Sequence, residues 1–207
     1  MSLNSYDQIN EMHIDVLREI ANIGSGNSAA ALSRMIGHPT DISIPGIGIE
    51  GFNEAYELLG GPETIMVGII LFLSKGLDGM MMFLLPVEVA CDLVNMLMGT
   101  DVKSYEDIDE IGLSAINEVA NIMSGSFVGA IGEMTGLVID ISPPESTLDM
   151  LGSIMSVPSI YFAKVSDKLL LIQNEIEIAG KKTPANVMLL PDIPSLTKLI
   201  TSLGIDV

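Results

Sequence analysis

Two pairs of polar residues, each made of a glutamate and an asparagine three positions apart, could act together in chemistry. The first pair is Glu19 and Asn22, and the second is Glu118 and Asn121. Each member of one pair lies 99 positions from its counterpart. A carboxylate can bind a partner's ammonium group, and a neutral amide carries both a donor and an acceptor with which it can orient water. The repetition suggests two copies of one polar site.

The repeat extends well beyond these pairs. When residues 15–45 are aligned without gaps with residues 114–144, 13 of the 31 positions are identical. The aligned segments begin at Asp15 and Ser114 and close on Pro45 and Pro144. Similarity resumes where Leu-Leu-Pro precedes a helical stretch, at 84–86 and 189–191. We therefore predict a single domain over residues 1–207 that is made of two repeats, at about 8–100 and 107–204.

The elements that must position the polar pairs are expected to recur in each repeat. A long helix comes first, at about 8–36 and 106–135, because apolar and small residues recur every three or four positions. Closing helices follow prolines at 87–98 and 193–203. Hairpin-length links between the predicted strands favour antiparallel pairing. The expected fold class is α+β, with a pseudo-twofold between the repeats and the sites on the long first helices. The strands are expected at 41–45, 64–73 and 79–85, and again at 138–144, 169–178 and 185–190.

Helical geometry places each polar pair on one edge of its helix. At about 100° per residue, Glu19 and Asn22 lie within about 40° of Asp15, and the second pair lies similarly near Ser114. A solvated helix face is the ordinary explanation for a single pair of this kind. However, asparagine is a poor residue for a helix interior, and both residues recur although 18 of the 31 aligned positions differ. A functional role is therefore favoured.

Composition limits the chemistry and the partners. The net charge of −18 disfavours nucleic acid and anionic membranes. The single cysteine, Cys91, excludes an internal disulfide and is expected to be a small buried helix residue. His13 and His38 both lie in the first repeat, so neither can belong to a duplicated site, and both are expected at the surface. No metal-ligand spacing, phosphate-binding loop or secretory signal is recognisable, which predicts a cytoplasmic protein without its own metal or cofactor.

An amide beside a carboxylate suits one reaction in particular. Phosphoryl transfer depends mostly on positioning and electrostatics, and an amide that orients the attacking water is a known device for it. Without a metal of its own, such a pair would work best on a labile phosphoryl group whose carrier brings the metal. A binding module that docks a partner without catalysis, and a structural protein with solvated helix edges, are the alternatives.

The full motif resembles a known family. The motif consists of an Asp or Ser, a Glu four positions later, an Asn three positions after that and a Pro 23 positions further on. This pattern resembles that of the CheC/CheX/FliY phosphatases of bacterial chemotaxis. Two complete motifs, in a chain whose second repeat ends close to Val207, are most similar to the CheC branch, since FliY-like members carry a further domain. The residues that carry the resemblance are Asp15, Glu19, Asn22, Pro45, Ser114, Glu118, Asn121 and Pro144.

The resemblance implies a function and roles for these residues. The substrate would be CheY-P, a response regulator with an aspartyl phosphate and its own bound Mg²⁺. Asn22 and Asn121 would orient the attacking water, and Glu19 and Glu118 would bind the regulator's active-site lysine. Asp15, Ser114, Pro45 and Pro144 would complete the motif. The CheD deamidase is a further partner that the family implies, and non-catalytic binding of a regulator or of CheD is the alternative function.

Overall fold

Seven strands form one antiparallel sheet in a computed structural model that describes residues 3–162 and 166–205. The predicted α+β class is confirmed, including the two long helices. The strands are β1 Thr40–Gly51, β2 Ile65–Lys75, β3 Gly79–Pro86, β4 Ile139–Ile141, β5 Glu145–Met150, β6 Lys168–Ile178 and β7 Lys181–Pro191. The α-helices are α1 Glu11–Ile36, α2 Phe52–Leu58, α3 Val87–Met98, α4 Glu110–Thr135, α5 Leu151–Ile154, α6 Ser156–Phe162 and α7 Ile193–Ser202. None of the helices within the described ranges is both long and apolar enough to cross a bilayer.

The first strand of each repeat pairs with the hairpin of the other repeat. The strand order is β1-β6-β7-β3-β2, and both β4 and β5 pair with the outer side of β2. Strands β7 and β3 meet at the centre, which is where the pseudo-twofold must pass. Because β1 lies on β6 and β5 lies on β2, each long helix leads into a strand that is hydrogen-bonded to the opposite repeat.

Side-chain caps and glycines set the limits of the long helices. The Asn10 side chain accepts a hydrogen bond from the His13 backbone at 3.0 Å, and His13 Nδ1 accepts one from the Asn10 backbone at 3.3 Å. At the start of α4, Asp109 accepts from the Gly112 backbone at 2.8 Å. The helices end at Gly37 and Gly136, which have φ values of 70° and 71° that glycine adopts most readily.

One histidine lies differently from the prediction. The surface location predicted for His13 is wrong, since the side chain is only 3% exposed. Its place in the N-terminal capping box explains this difference, because the ring turns back towards the start of α1. His38 is exposed, as expected. Cys91 is buried within α3, also as expected.

The sheet is covered on both faces. Helices α1, α3 and α4 pack on one face, while α2, α5 and α6 pack on the other. The central strand β3 sends Met81 towards the long helices and Met80 and Met82 towards the short ones. Burial on both faces explains why this strand is continuously apolar rather than alternating. The short helices α2, α5 and α6 were not predicted, because they lie in segments with no repeated motif and no helical periodicity long enough to recognise.

The helices that carry the two polar pairs pack closely against each other. A methyl group added at Gly24 of α1 would lie 2.5 Å from Phe127 Cδ2 of α4, closer than van der Waals contact permits. The pseudo-symmetric contact joins Ser28 and Met123, and there the Ser28 hydroxyl donates to the Met123 carbonyl at 2.8 Å. Each contact thus matches a small residue on α1 with a larger one on α4. The run of small residues from Gly24 to Ala31 on α1 is what permits this close approach.

Candidate functional site

Each long helix presents its motif residues to solvent. Asp15, Glu19 and Asn22 are all exposed on α1. Ser114, Glu118 and Asn121 are all exposed on α4. The opposite side of α1 is packed, with Leu17, Ile20, Ala21 and Gly24 buried. The helical periodicity therefore separated the exposed edge from the packed face correctly in both repeats.

The two motif prolines interrupt equivalent strand ladders. Between the pairs Ser43–Glu175 and Gly46–Gln173, two residues of β1, including Pro45, oppose a single residue of β6. In the other repeat, Pro144 lies between β4 and β5, where three residues oppose two of β2. Proline has no backbone N–H to donate, so it is confined to such bulges and edges. The proline marks an interruption in both repeats, and this explains its recurrence.

The predicted first strands differ from the observed ones at these interruptions. Strand β1 does not end at residue 45 but resumes after the bulge and continues to Gly51. The strand predicted at 138–144 is instead the three-residue β4, and pairing resumes in β5 from Glu145. A proline in the sequence predicts a strand end, but in both repeats the residues that follow it pair again with the neighbouring strand.

The structure brings all four motif members together around one depression in the second repeat. Ser114, Glu118 and Asn121 line it from α4, and Pro144 lines it from the strand interruption. Asn117, which the motif does not include, also lines this depression. Its Oδ1 is buried and has no hydrogen-bond partner among the described residues. The signal that could have found it is its position one turn before Asn121 on the same edge.

The first repeat is arranged differently. Asp15 and Arg18 line a depression between the start of α1 and β1, together with Gly48 and Ile49, and Glu19, Asn22 and Pro45 lie outside it. Arg18 Nη1 is 2.8 Å from Asp15 Oδ1. Asp15 adds a negative charge to the helix edge of the first repeat, and the nearby Arg18 balances that charge. In the second repeat the corresponding residues, Ser114 and Asn117, are both uncharged.

The key side chains are available for a partner. Within residues 3–162 and 166–205, neither Glu19 nor Glu118 has an ion-pair partner. The Ser114 hydroxyl donates to the Glu110 carbonyl at 2.8 Å, so that it stays on its own helix. In the described part of the chain, no group of three or more His, Cys, Asp or Glu side chains is arranged to hold a metal ion.

A buried polar contact, which the sequence did not reveal, supports the first site. Asn174 of β6 is only 5% exposed, and its Nδ2 donates to Ser25 Oγ at 3.0 Å. Ser25 lies one turn after Asn22 on α1, and Asn174 is the β6 residue opposite the Pro45 bulge. The contact thus joins the helix of the first site to the strand ladder that carries its proline. Only the exchange of strands between the repeats brings these residues together.

Comparison with known proteins identifies the family. The CheC-like family profile matches residues 12–49 and 111–148, two segments that are offset by 99 positions like the motif itself. The CheY-P phosphatase CheC of Bacillus subtilis is 30% identical over 206 residues, which cover 98% of this chain and 99% of that protein. The chain belongs to the CheC-like family. Similarity that spans both repeats agrees with the two motifs that the sequence carries.

Solved structures agree with the fold of this CheC-like protein. Thermotoga maritima FliY has a TM-score of 0.78 and 24% sequence identity, over 95% of this chain and 98% of that one. A chain of the CheX–CheY–BeF₃–Mg²⁺ complex of Borrelia burgdorferi has a TM-score of 0.56 and 18% identity, over 86% of this chain and 99% of that one. At these identities the likeness establishes the shared fold.

Proposed function

We propose that this protein is a phosphatase that hydrolyses the aspartyl phosphate of a CheY-type response regulator. The observation that carries the proposal is the pair of exposed Glu/Asn edges, one on each long helix, in a chain of the CheC-like family. The B. subtilis relative is named a CheY-P phosphatase, and the B. burgdorferi neighbour was solved as a complex with CheY. Both names support a receiver domain as the partner.

The asparagines would act on the attacking water. The amide oxygen of Asn22 or Asn121 accepts a hydrogen bond from the water, and this bond orients a lone pair of the water oxygen towards phosphorus. The new bond forms between the water oxygen and phosphorus, while the bond from phosphorus to the regulator's aspartyl oxygen breaks. The products are the free aspartate carboxylate and inorganic phosphate, which leaves as H₂PO₄⁻ and carries both protons of the water. Mg²⁺ carried by the regulator would neutralise charge on the phosphoryl oxygens.

The glutamates would hold the regulator in place. Glu19 and Glu118 lie one turn before the asparagines and have no ion-pair partner in the described structure. A carboxylate in this position can accept hydrogen bonds from the regulator's active-site lysine, and opposite charges also speed the encounter. Binding of the CheD deamidase and a cytoplasmic location stay predictions from the sequence.

The test is the rate at which a phosphorylated receiver loses phosphate. We expect Asn22→Ala with Asn121→Ala to lower the accelerated rate by about 100-fold, since misplacing a reacting group by about 1 Å has an effect of that size. Both residues are exposed, so the free energy of unfolding should change by less than about 0.5 kcal/mol. Unchanged acceleration by the double variant would refute the role of the amides. Saturable binding without faster decay, already in the wild type, would favour the non-catalytic binding module.

A further inference from the structure

A large apolar side chain stands exposed at the start of each motif edge. Met12 on α1 is 61% exposed, and Ile111 on α4 is 64% exposed. They are counterparts across the repeat, since 111 − 12 = 99, and each is the second residue of its helix. Single exposed apolar residues are common and need no explanation. Two pairs of large exposed apolar side chains lie 99 positions apart among the described residues, Met12 with Ile111 and Leu58 with Val157, and only the first pair lies on the helices that carry the motif.

Both residues lie on the same edge as the motif. At about 100° per residue, Met12 is about 60° from Asp15 and about 20° from Glu19 around the α1 axis. Ile111 has the same relation to Ser114 and Glu118 on α4. A second apolar residue follows each asparagine, and it is exposed at Ile23 and partly exposed at Ile122. Along each edge, an apolar residue is therefore followed by the carboxylate, the amide and a second apolar residue.

We propose that Met12 and Ile111 are docking residues, each inserting into an apolar recess of the phosphorylated receiver domain that occupies the neighbouring Glu/Asn site. The inference rests on the proposed function. At about 1.5 Å per residue, Met12 is about 15 Å along the helix axis from Asn22, so the recess lies about that far from the phosphoryl group. The occupant follows from continuity, because the apolar residue is duplicated together with the catalytic motif and lies on the same exposed edge.

Docking residues act on binding rather than on the chemical step. Their contact with the receiver would be the same before and during hydrolysis, so that removing it raises KM and leaves kcat unchanged. Burial of one such side chain supports about a tenfold effect on KM. The second residues, Ile23 and Ile122, are too close to the asparagines to separate binding from catalysis, and they are left intact in the test.

The experiment measures each site alone. Met12→Ser in the Asn121→Ala background, where only the first site works, should raise KM about tenfold. The same substitution in the Asn22→Ala background should have no effect, and Ile111→Ser should show the reverse pattern. Val138→Ser is the matched control, because Val138 is 71% exposed but lies between α4 and β4, off both helix edges. An unchanged KM, or a fall in kcat alone, would overturn the inference.

Direct binding separates this inference from the proposed function. The wild type and the Met12→Ser/Ile111→Ser variant are titrated with a CheY-type receiver loaded with beryllofluoride and Mg²⁺. About tenfold weaker binding at each site supports docking even where the wild type does not accelerate hydrolysis. Equal binding refutes docking even where the asparagines prove catalytic. A shift from dimer to monomer in sedimentation on substitution would show instead that the edges cover a second copy of this chain, which also overturns the proposal.

Discussion

The contact between α1 and α4 at Gly24 provides a sharp test of how the two site helices are held. Gly24→Ala places a methyl group 2.5 Å from Phe127 Cδ2 and 2.8 Å from Cε2. Phe127 is 3% exposed, so its ring has little room to withdraw. Overpacking of this kind costs about 1–3 kcal/mol, whereas alanine gains about 1 kcal/mol over glycine in a helix interior. We expect the free energy of unfolding to fall by about 0–2 kcal/mol, the difference of these effects.

Gly26 offers the matched control two residues further along α1. It is exposed, and a methyl group there would meet nothing within 4 Å. Gly26→Ala should therefore keep the propensity gain and raise the free energy of unfolding by about 1 kcal/mol. The two alanine variants should differ by about 1–3 kcal/mol, which corresponds to several degrees in Tm for a chain of this size.

The assay is urea unfolding followed by far-UV circular dichroism, since the chain has no tryptophan. Phe127→Leu, which shortens the ring side chain, should cost less in the Gly24→Ala background than in the wild type, because it relieves the overlap. Equal stabilisation by Gly24→Ala and Gly26→Ala would refute the reasoning. In that case the two site helices would not approach each other at Gly24 as closely as the structure shows.

Two further predictions concern buried polar groups. Ser25→Ala should lower the free energy of unfolding by about 1–3 kcal/mol, because Asn174 loses its hydrogen bond while buried. Ser25→Ala combined with Asn174→Leu should be near neutral, because neither polar partner is then left. Equal losses for the two variants in urea titrations would contradict this explanation. Burial, with a smaller contribution from nearby Asp192, raises the pKa of Tyr6, whose hydroxyl donates to the Pro191 carbonyl at 2.7 Å. The raised pKa stabilises the fold fully below the unfolded value of about 10, and this stability is lost as the pH rises through the folded value. Tyr6→Phe should therefore flatten the alkaline decline of Tm, and a decline as steep as in the wild type would refute the assignment.

Much of the candidate site could be predicted because it is local. Glu19 and Asn22 lie within one turn of one helix, so the helical period alone places them on the same edge. The capping residues and terminal glycines of α1 and α4 act over a few positions, and the helix ends were predicted within about four residues, as is usual for such boundaries. The duplication supplies a second occurrence of the same pattern in the sequence.

The strand predictions failed where pairing depends on distant segments. A proline lacks the N–H that the ladder needs, and from the sequence it marks the end of a strand. Whether the strand resumes depends on the neighbouring strand. Beyond Pro45, β1 resumes because its residues pair with β6. The identical Leu-Leu-Pro tripeptides show the same limit. Leu84 and Leu189, which correspond in the tripeptides, face opposite sides of the sheet.

The sequence by itself determined the repeat, the two exposed Glu/Asn edges and the chemistry open to them. These follow from residue identity and from a helical period that is the same in any environment. Only the tertiary structure decided that the first strand of each repeat pairs with the other repeat, that Asn174 donates to Ser25, and that Pro144 and Asn121 line the same depression. Such contacts join residues far apart in the chain, and their energy depends on burial and distance, which a one-dimensional pattern does not carry.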